Sequence, residues 1–169
     1  MAYEPNGHPA PQPQWPASAE PPWLGSQEQR AWRAFMDGHQ RLMVELNRQL
    51  EADADLSLSE YRILVMLSEA TAGSLRMSDL ADGVLSSRSR LTHQIRRMED
   101  QGMVRRTSCE EDGRGVRAHV TDEGMRRLRA AAPGHAAAVR RYFLDLVSPQ
   151  ELAAIGDAFD RVNTKSDGQ

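Results

Sequence analysis

Residues 86–102 read SSRSRLTHQIRRMEDQG. Leu91, Ile95 and Met98 fall at i, i+4 and i+7, so one narrow face is apolar. Ser87 is placed to cap a helix start and Gly102 to stop it, which predicts a helix running to about Gln101. Around the stripe stand Arg88, Ser89, Arg90, Thr92, His93, Arg96 and Arg97. Cations at a helix start oppose the helix dipole, a penalty that a phosphate outside the helix would reverse. A DNA major groove admits one helix, and its N-terminal turns reach base edges. The pattern also suits a solvated surface helix carrying Arg96–Glu99 and Arg97–Asp100 pairs. The neighbouring residues have to decide.

Upstream, SDLADGVL (78–85) predicts a short helix capped by Ser78, with Leu80, Ala81, Val84 and Leu85 inward. Two helices joined by a tight polar turn form a helix-turn-helix candidate, here without the usual glycine in the turn. Downstream, MVRRTS (103–108) and VRAHV (116–120) are strand-like, and CEEDGRG (109–115) between them carries Asp112-Gly113, a hairpin signal. A β-hairpin directly after a helix-turn-helix is a winged arrangement. Residues 86–106 hold Arg88, Arg90, Arg96, Arg97, Arg105 and Arg106 against Glu99 and Asp100, a local positive patch on a chain of net charge −3.

Further out, Trp32, Phe35, Met36, His39, Leu42, Met43, Leu46 and Leu50 recur at helical spacing from a start near Gln27. Ser57-Leu-Ser-Glu60 is a capping box. The helix behind it, 61–70, is apolar on nearly every side and should be central, with Ala72-Gly73 breaking it. Thr121 caps a helix over 122–132, which Pro133-Gly134 should kink or interrupt before 135–147 continues. Ser148-Pro-Gln-Glu151 opens a last helix whose apolar face is Leu152, Ile155, Phe159 and Val162. The expected fold is mainly α, in the order α-α-α-α-β-β-α-α.

Residues 1–25 are proline-rich and expected to be a disordered tail, followed by one domain over 26–163 and a short tail over 164–169. Within the domain, 57–121 is the expected winged helix-turn-helix, and 26–52 and 122–163 are the expected dimerisation helices. The single cysteine, Cys109, excludes a disulfide framework or a cysteine-rich zinc site. Glu110 and Glu111 beside it make a weakly reactive thiol the expectation. No apolar run is long enough to span a bilayer and no secretory signal opens the chain, so the expected location is the cytoplasm. No nucleophile–base spacing, phosphate-cradling loop or paired carboxylates suggest an enzyme, and no metal ligand set or cofactor is expected.

The pieces LRMSDLADGVLSSRSRLTHQIRRMEDQGMVRR and EDGRGVRAHVTDEG resemble the MarR (multiple antibiotic resistance regulator) family of bacterial transcription factors. The resemblance covers about Gln27 to Val162. Its most specific marks are the Asp-x-Arg of the wing, at Asp112 and Arg114, and the Thr-x-x-Gly at Thr121 and Gly124. It implies a homodimer whose terminal helices interlock, binding a pseudo-palindromic operator in double-stranded DNA. Recognition helices would lie in successive major grooves, with wing arginines in the minor groove. It also implies a repressor released by a small phenolic ligand. The apolar stripes at 32–50 and 152–162 agree with a dimer, since they exceed what one small winged domain could bury.

On this reading Ser87, Arg88, Ser89, Arg90, Thr92, His93, Arg96 and Arg97 face DNA from the recognition helix. Asp112, Arg114 and Arg117 do so from the wing. Trp32, Phe35, His39 and Tyr61 line a pocket for an aromatic ligand. Two other readings share the fold: a zinc- or oxidant-responsive regulator, and a winged module whose arginine patch meets an acidic protein.

Overall fold

A capping box sets the start of the central helix. In this computed structural model, which describes residues 23–108 and 115–166, Ser57 Oγ accepts the Glu60 N–H at 3.2 Å and Glu60 Oε2 accepts the Ser57 N–H at 2.9 Å. The helix α2 (Leu58–Glu69) grows from that cap. Asn47 Oδ1 on the long first helix, α1 (Ser26–Ala54), accepts the Leu58 N–H at 2.9 Å and ties the two together. Ile63, Leu64 and Leu67 are buried, as a central helix requires.

A turn of 3-10 helix over Thr71–Gly73 leads into a short strand, β1 (Ser74–Arg76). Then come α3 (Met77–Gly83), α4 (Arg88–Asp100), β2 (Val104–Ser108), β3 (Val116–Val120), α5 (Asp122–Tyr142) and α6 (Pro149–Ser166). The sheet is antiparallel in the order β1-β3-β2, with Leu75 opposite Ala118 and Arg106 opposite Ala118 from the other side. The core gathers α2, α3, α4, the sheet and the start of α5 around Leu64, Leu67, Leu80, Leu91, Ile95 and Met98.

The Thr-x-x-Gly signature has a packing reason. Thr121 Oγ1 accepts the Gly124 N–H at 3.1 Å and donates to the Gly102 carbonyl at 2.6 Å, stitching the start of α5 to the end of α4. A Cβ at position 124 would stand 2.2 Å from the Met103 carbonyl oxygen, so only glycine fits.

Several expectations need correction. β1 was not foreseen, because three residues are too few to show alternation. The helix α3 begins at Met77 without a side-chain cap, and the Ser78 hydroxyl bonds Asp79 instead. Leu85, expected inward, is exposed. Helix α5 runs through Pro133 unbroken to Tyr142, where 135–147 was expected to follow a kink, and a 3-10 turn over Leu144–Leu146 precedes α6. The chain divides into two compact units between Asp37 and Gly38. No helix among the described residues is long and apolar enough to cross a membrane.

Candidate nucleic-acid interface

Helix α4 is built to show one face. Leu91, Ile95 and Met98 are fully buried, which fixes its rotation against the core. Ser87 spends its hydroxyl as the cap, accepting the Arg90 N–H at 3.3 Å. Arg88, Ser89, Arg90, Thr92, His93, Arg96 and Arg97 are all exposed, so the residues singled out in the sequence share one surface. The first turn holds Arg88 and Arg90 and no acidic residue. Their charge adds to the positive end of the helix dipole, making that end attractive to an anion. Beside it lies a cleft of about 280 Å³ lined by Arg76, Met77, Ser78, Arg88, Thr92 and Val116.

Helix α2 braces α4 from behind. Gln94 Nε2 donates to Ser59 Oγ, and Arg97 Nη2 lies 3.8 Å from Glu60 Oε1. Glu60 is only 4% exposed, yet its carboxylate is fully used: Oε2 accepts from the Ser57 backbone and hydroxyl while Oε1 faces Arg97. The capping role of Glu60 is legible in the spacing Ser57-Leu-Ser-Glu60; the use of its second oxygen is visible only in three dimensions.

The patch is smaller than the arginine count suggested. Glu99 takes Arg106 rather than Arg96, accepting from its backbone N–H and its Nε, each at 2.9 Å. The Arg106 guanidinium holds the Glu99 carboxyl below its ordinary range. Arg117, expected at the DNA from the wing, is half-buried. Its Nη2 donates to the Ser74 carbonyl and hydroxyl at 3.1 Å each, clamping β1 to β3. Asp112, Arg114 and Cys109 lie outside the described residues.

Of the residues expected at an aromatic pocket, Trp32 and Phe35 belong to the first compact unit and His39 and Tyr61 to the second. Trp32 and Phe35, both exposed, face each other with ring centroids 5.7 Å apart. His39 lies at the surface. Tyr61 pairs with His135 of α5 at 4.4 Å, a partner the sequence did not suggest. Burial raises the Tyr61 phenol above its ordinary range and lowers His135 below its own.

Comparison with known proteins accords with this geometry. The model of the MarR family matches residues 56–116, which span α2 to the start of β3. AbsC, a MarR family transcriptional regulator from Streptomyces coelicolor, has a solved structure similar to this one: 41% identity, 87% of this chain and 99% of that chain covered, TM-score 0.82. The chain belongs to the MarR family.

A second family member from that organism, Sco3205, was solved in complex with DNA and is 40% identical over 85% of this chain and 90% of its own, TM-score 0.82. The transcriptional regulator YfiV of Bacillus subtilis is 32% identical over 60% of this chain, and the match spans 61% of YfiV's length. This MarR-family chain is accordingly a DNA-binding transcriptional regulator and not an enzyme.

Proposed function

We propose that the protein is a homodimeric repressor that sets α4 of each subunit into successive major grooves of a pseudo-palindromic operator. One observation carries this reading. Helix α4 buries its whole apolar stripe at 0% exposure while Arg88, Arg90, Arg96 and Arg97 stand exposed. Arginine can grip guanine O6 and N7 with two bonds or neutralise a phosphate. Arg88 and Arg90, in the first turn, read bases; Arg97, further along and tethered to Glu60, holds the backbone. Asp112 and Arg114 act in the wing, Asp112 orienting the arginine toward the minor groove. Repression is supported by relatives bearing that name: YetL of Bacillus subtilis is 28% identical over 69% of this chain. The dimer is supported by α6, on which no described side chain is buried and Leu152 is exposed.

Release by a planar aromatic acid completes the proposal. The Tyr61–His135 pair offers ring surface and polar tips to such a molecule. A ligand can act only through different affinities for DNA-competent and incompetent spacings of the two recognition helices.

A mobility shift with the DNA upstream of the protein's own coding sequence, at two salt concentrations, tests the core of this reading. Binding that weakens with salt but keeps its preference over random duplex is the expected result. A panel of phenolic carboxylates titrated into the protein–operator complex, with ligand binding followed by calorimetry, tests release. Ligand binding without loss of operator affinity would defeat that part.

A further inference from the structure

The helices α3 and α4 end in the same way with different residues. At the end of α4 the Gly102 N–H donates to the Glu99 carbonyl and the Met103 N–H to the Met98 carbonyl, both at 2.9 Å, with Gly102 at φ +74°. At the end of α3 the Leu85 N–H donates to the Asp82 carbonyl at 3.1 Å and the Ser86 N–H to the Ala81 carbonyl at 3.0 Å. These are the two bonds of a Schellman turn, whose left-handed residue is ordinarily glycine. Here that residue is Leu85, at φ +52°. A branched side chain in this region costs conformational energy that glycine would avoid.

Leu85 gains nothing from the fold to offset that cost. It is 87% exposed, more than any other large apolar side chain among the described residues. Backbone strain combined with an unburied apolar side chain marks a place where something outside the fold is served. Its position says what. Leu85 stands two residues before the Ser87 cap, at the end of α4 that displays Arg88, Ser89 and Arg90. Whatever those arginines approach, Leu85 approaches too.

We infer that Leu85 makes an apolar contact with the DNA duplex at the edge of the groove entered by α4, and that the strained turn is kept for this contact. The apolar groups a duplex offers there are deoxyribose and the thymine methyl. The inference rests on α4 being the recognition helix.

The test uses the full chain and an operator that it selects from random duplexes. Three variants separate contact from turn geometry: Leu85→Gly and Leu85→Asn, which suit a positive φ, and Leu85→Met, which stays apolar but is no better suited. Glycine and asparagine variants should melt no lower than the parent and sediment identically, yet bind the operator roughly tenfold more weakly. The methionine variant should bind as the parent does. Replacing operator thymines by uracil distinguishes the two sources. Loss at one position in the parent, absent in Leu85→Gly, identifies the methyl; indifference to every replacement identifies the sugar. Operator binding by the glycine and asparagine variants at parental strength or better would overturn the inference, as would a change in sedimenting mass on Leu85→Gly, which would assign the side chain to a contact between copies. Failure of the parent protein to select any duplex would instead overturn the recognition-helix reading, and this inference with it.

Discussion

Helices α4 and α6 carry the same apolar spacing and meet opposite fates. Leu91, Ile95 and Met98 on α4 repeat at i, i+4 and i+7; so do Ile155, Phe159 and Val162 on α6. The first set is wholly buried, whereas Phe159 is 42% and Val162 57% exposed. Periodicity therefore reports that a face wants cover, and not who supplies it. For α4 the cover is in the chain: α2, α3 and β2 close over the stripe, leaving the arginines outside. For α6 we look to a second subunit, because Leu152 is also exposed and none of its described side chains is buried.

Removing residues 148–169 is the most severe way to break this comparison. We expect loss of the soluble dimer in sedimentation velocity. A dimer that survives the deletion would show that α6 is not the interface. Single substitutions then sharpen the contrast. Ile95→Ala should cost about 2–5 kcal/mol in denaturant melts at any protein concentration, since it opens a cavity in a filled core. Ile155→Ala should cost less, and its cost should depend on protein concentration, because mass action governs an interface between copies. Equal, concentration-independent losses would place both stripes in the same kind of environment.

On the outer face of α4 the expected effects are in binding rather than folding. Arg90→Ala should leave the melting temperature unchanged and cost about 1–3 kcal/mol on the operator, mostly by relaxing one base preference. Arg97→Ala should weaken specific and random duplexes alike and reduce the log-salt slope by about one. Gel-shift titrations across a salt series separate the two; identical behaviour would erase the division between reading and anchoring. Glu60→Gln removes the buried charge facing Arg97. If Glu60 positions that guanidinium, the substitution should weaken binding in the parent and not in the Arg97→Ala background. Stronger binding in both would show that the carboxylate merely repels phosphate.

What could be read from the sequence follows the range of the interactions. The cap of α2, the buried stripe of α4, the hairpin strands and the opening of α5 depend on residues within a few positions of one another, and each stands where it was expected. The exposed residues of α4 emerge for the same reason, since burying one helix face decides what lies on the others. The failures are tertiary. Arg117 reads as a wing cation, and its bond to Ser74, 43 positions away, has no local signal. Arg106 counted toward the patch until Glu99 claimed it. The strand β1 exists because β3 offers it a ladder, which no property of Ser74-Leu75-Arg76 announces. Pro133 failed to break α5, so the expected interruption there gave way to a continuous helix.

The smallest effect lies where α5 is tied to the winged core. The His135 ring packs on Tyr61, and its Nδ1 is buried without a hydrogen-bond partner among the described residues. Burial lowers the folded-state pKa of His135 below the ordinary 6.5. The unfolded chain therefore takes up a proton on passing down through about pH 6.5, where the folded protein resists it. More protons bound in the unfolded state mean that stability falls as pH drops through that range and is unaffected well above it. His135→Phe keeps a ring against Tyr61 and removes both the titration and the unsatisfied nitrogen. At pH 7.5 the variant should be as stable as the parent or slightly more so, since an unpaired buried polar atom is lost. Between pH 7 and pH 5 its melting temperature should fall less steeply than the parent's. Some slope will remain, because burial and the nearby Arg105 and Arg117 lower His119 in the same direction. Melting curves at half-unit pH steps would decide. Parallel profiles for parent and variant would mean that the α2–α5 joint opens enough for His135 to titrate as it does in the unfolded chain.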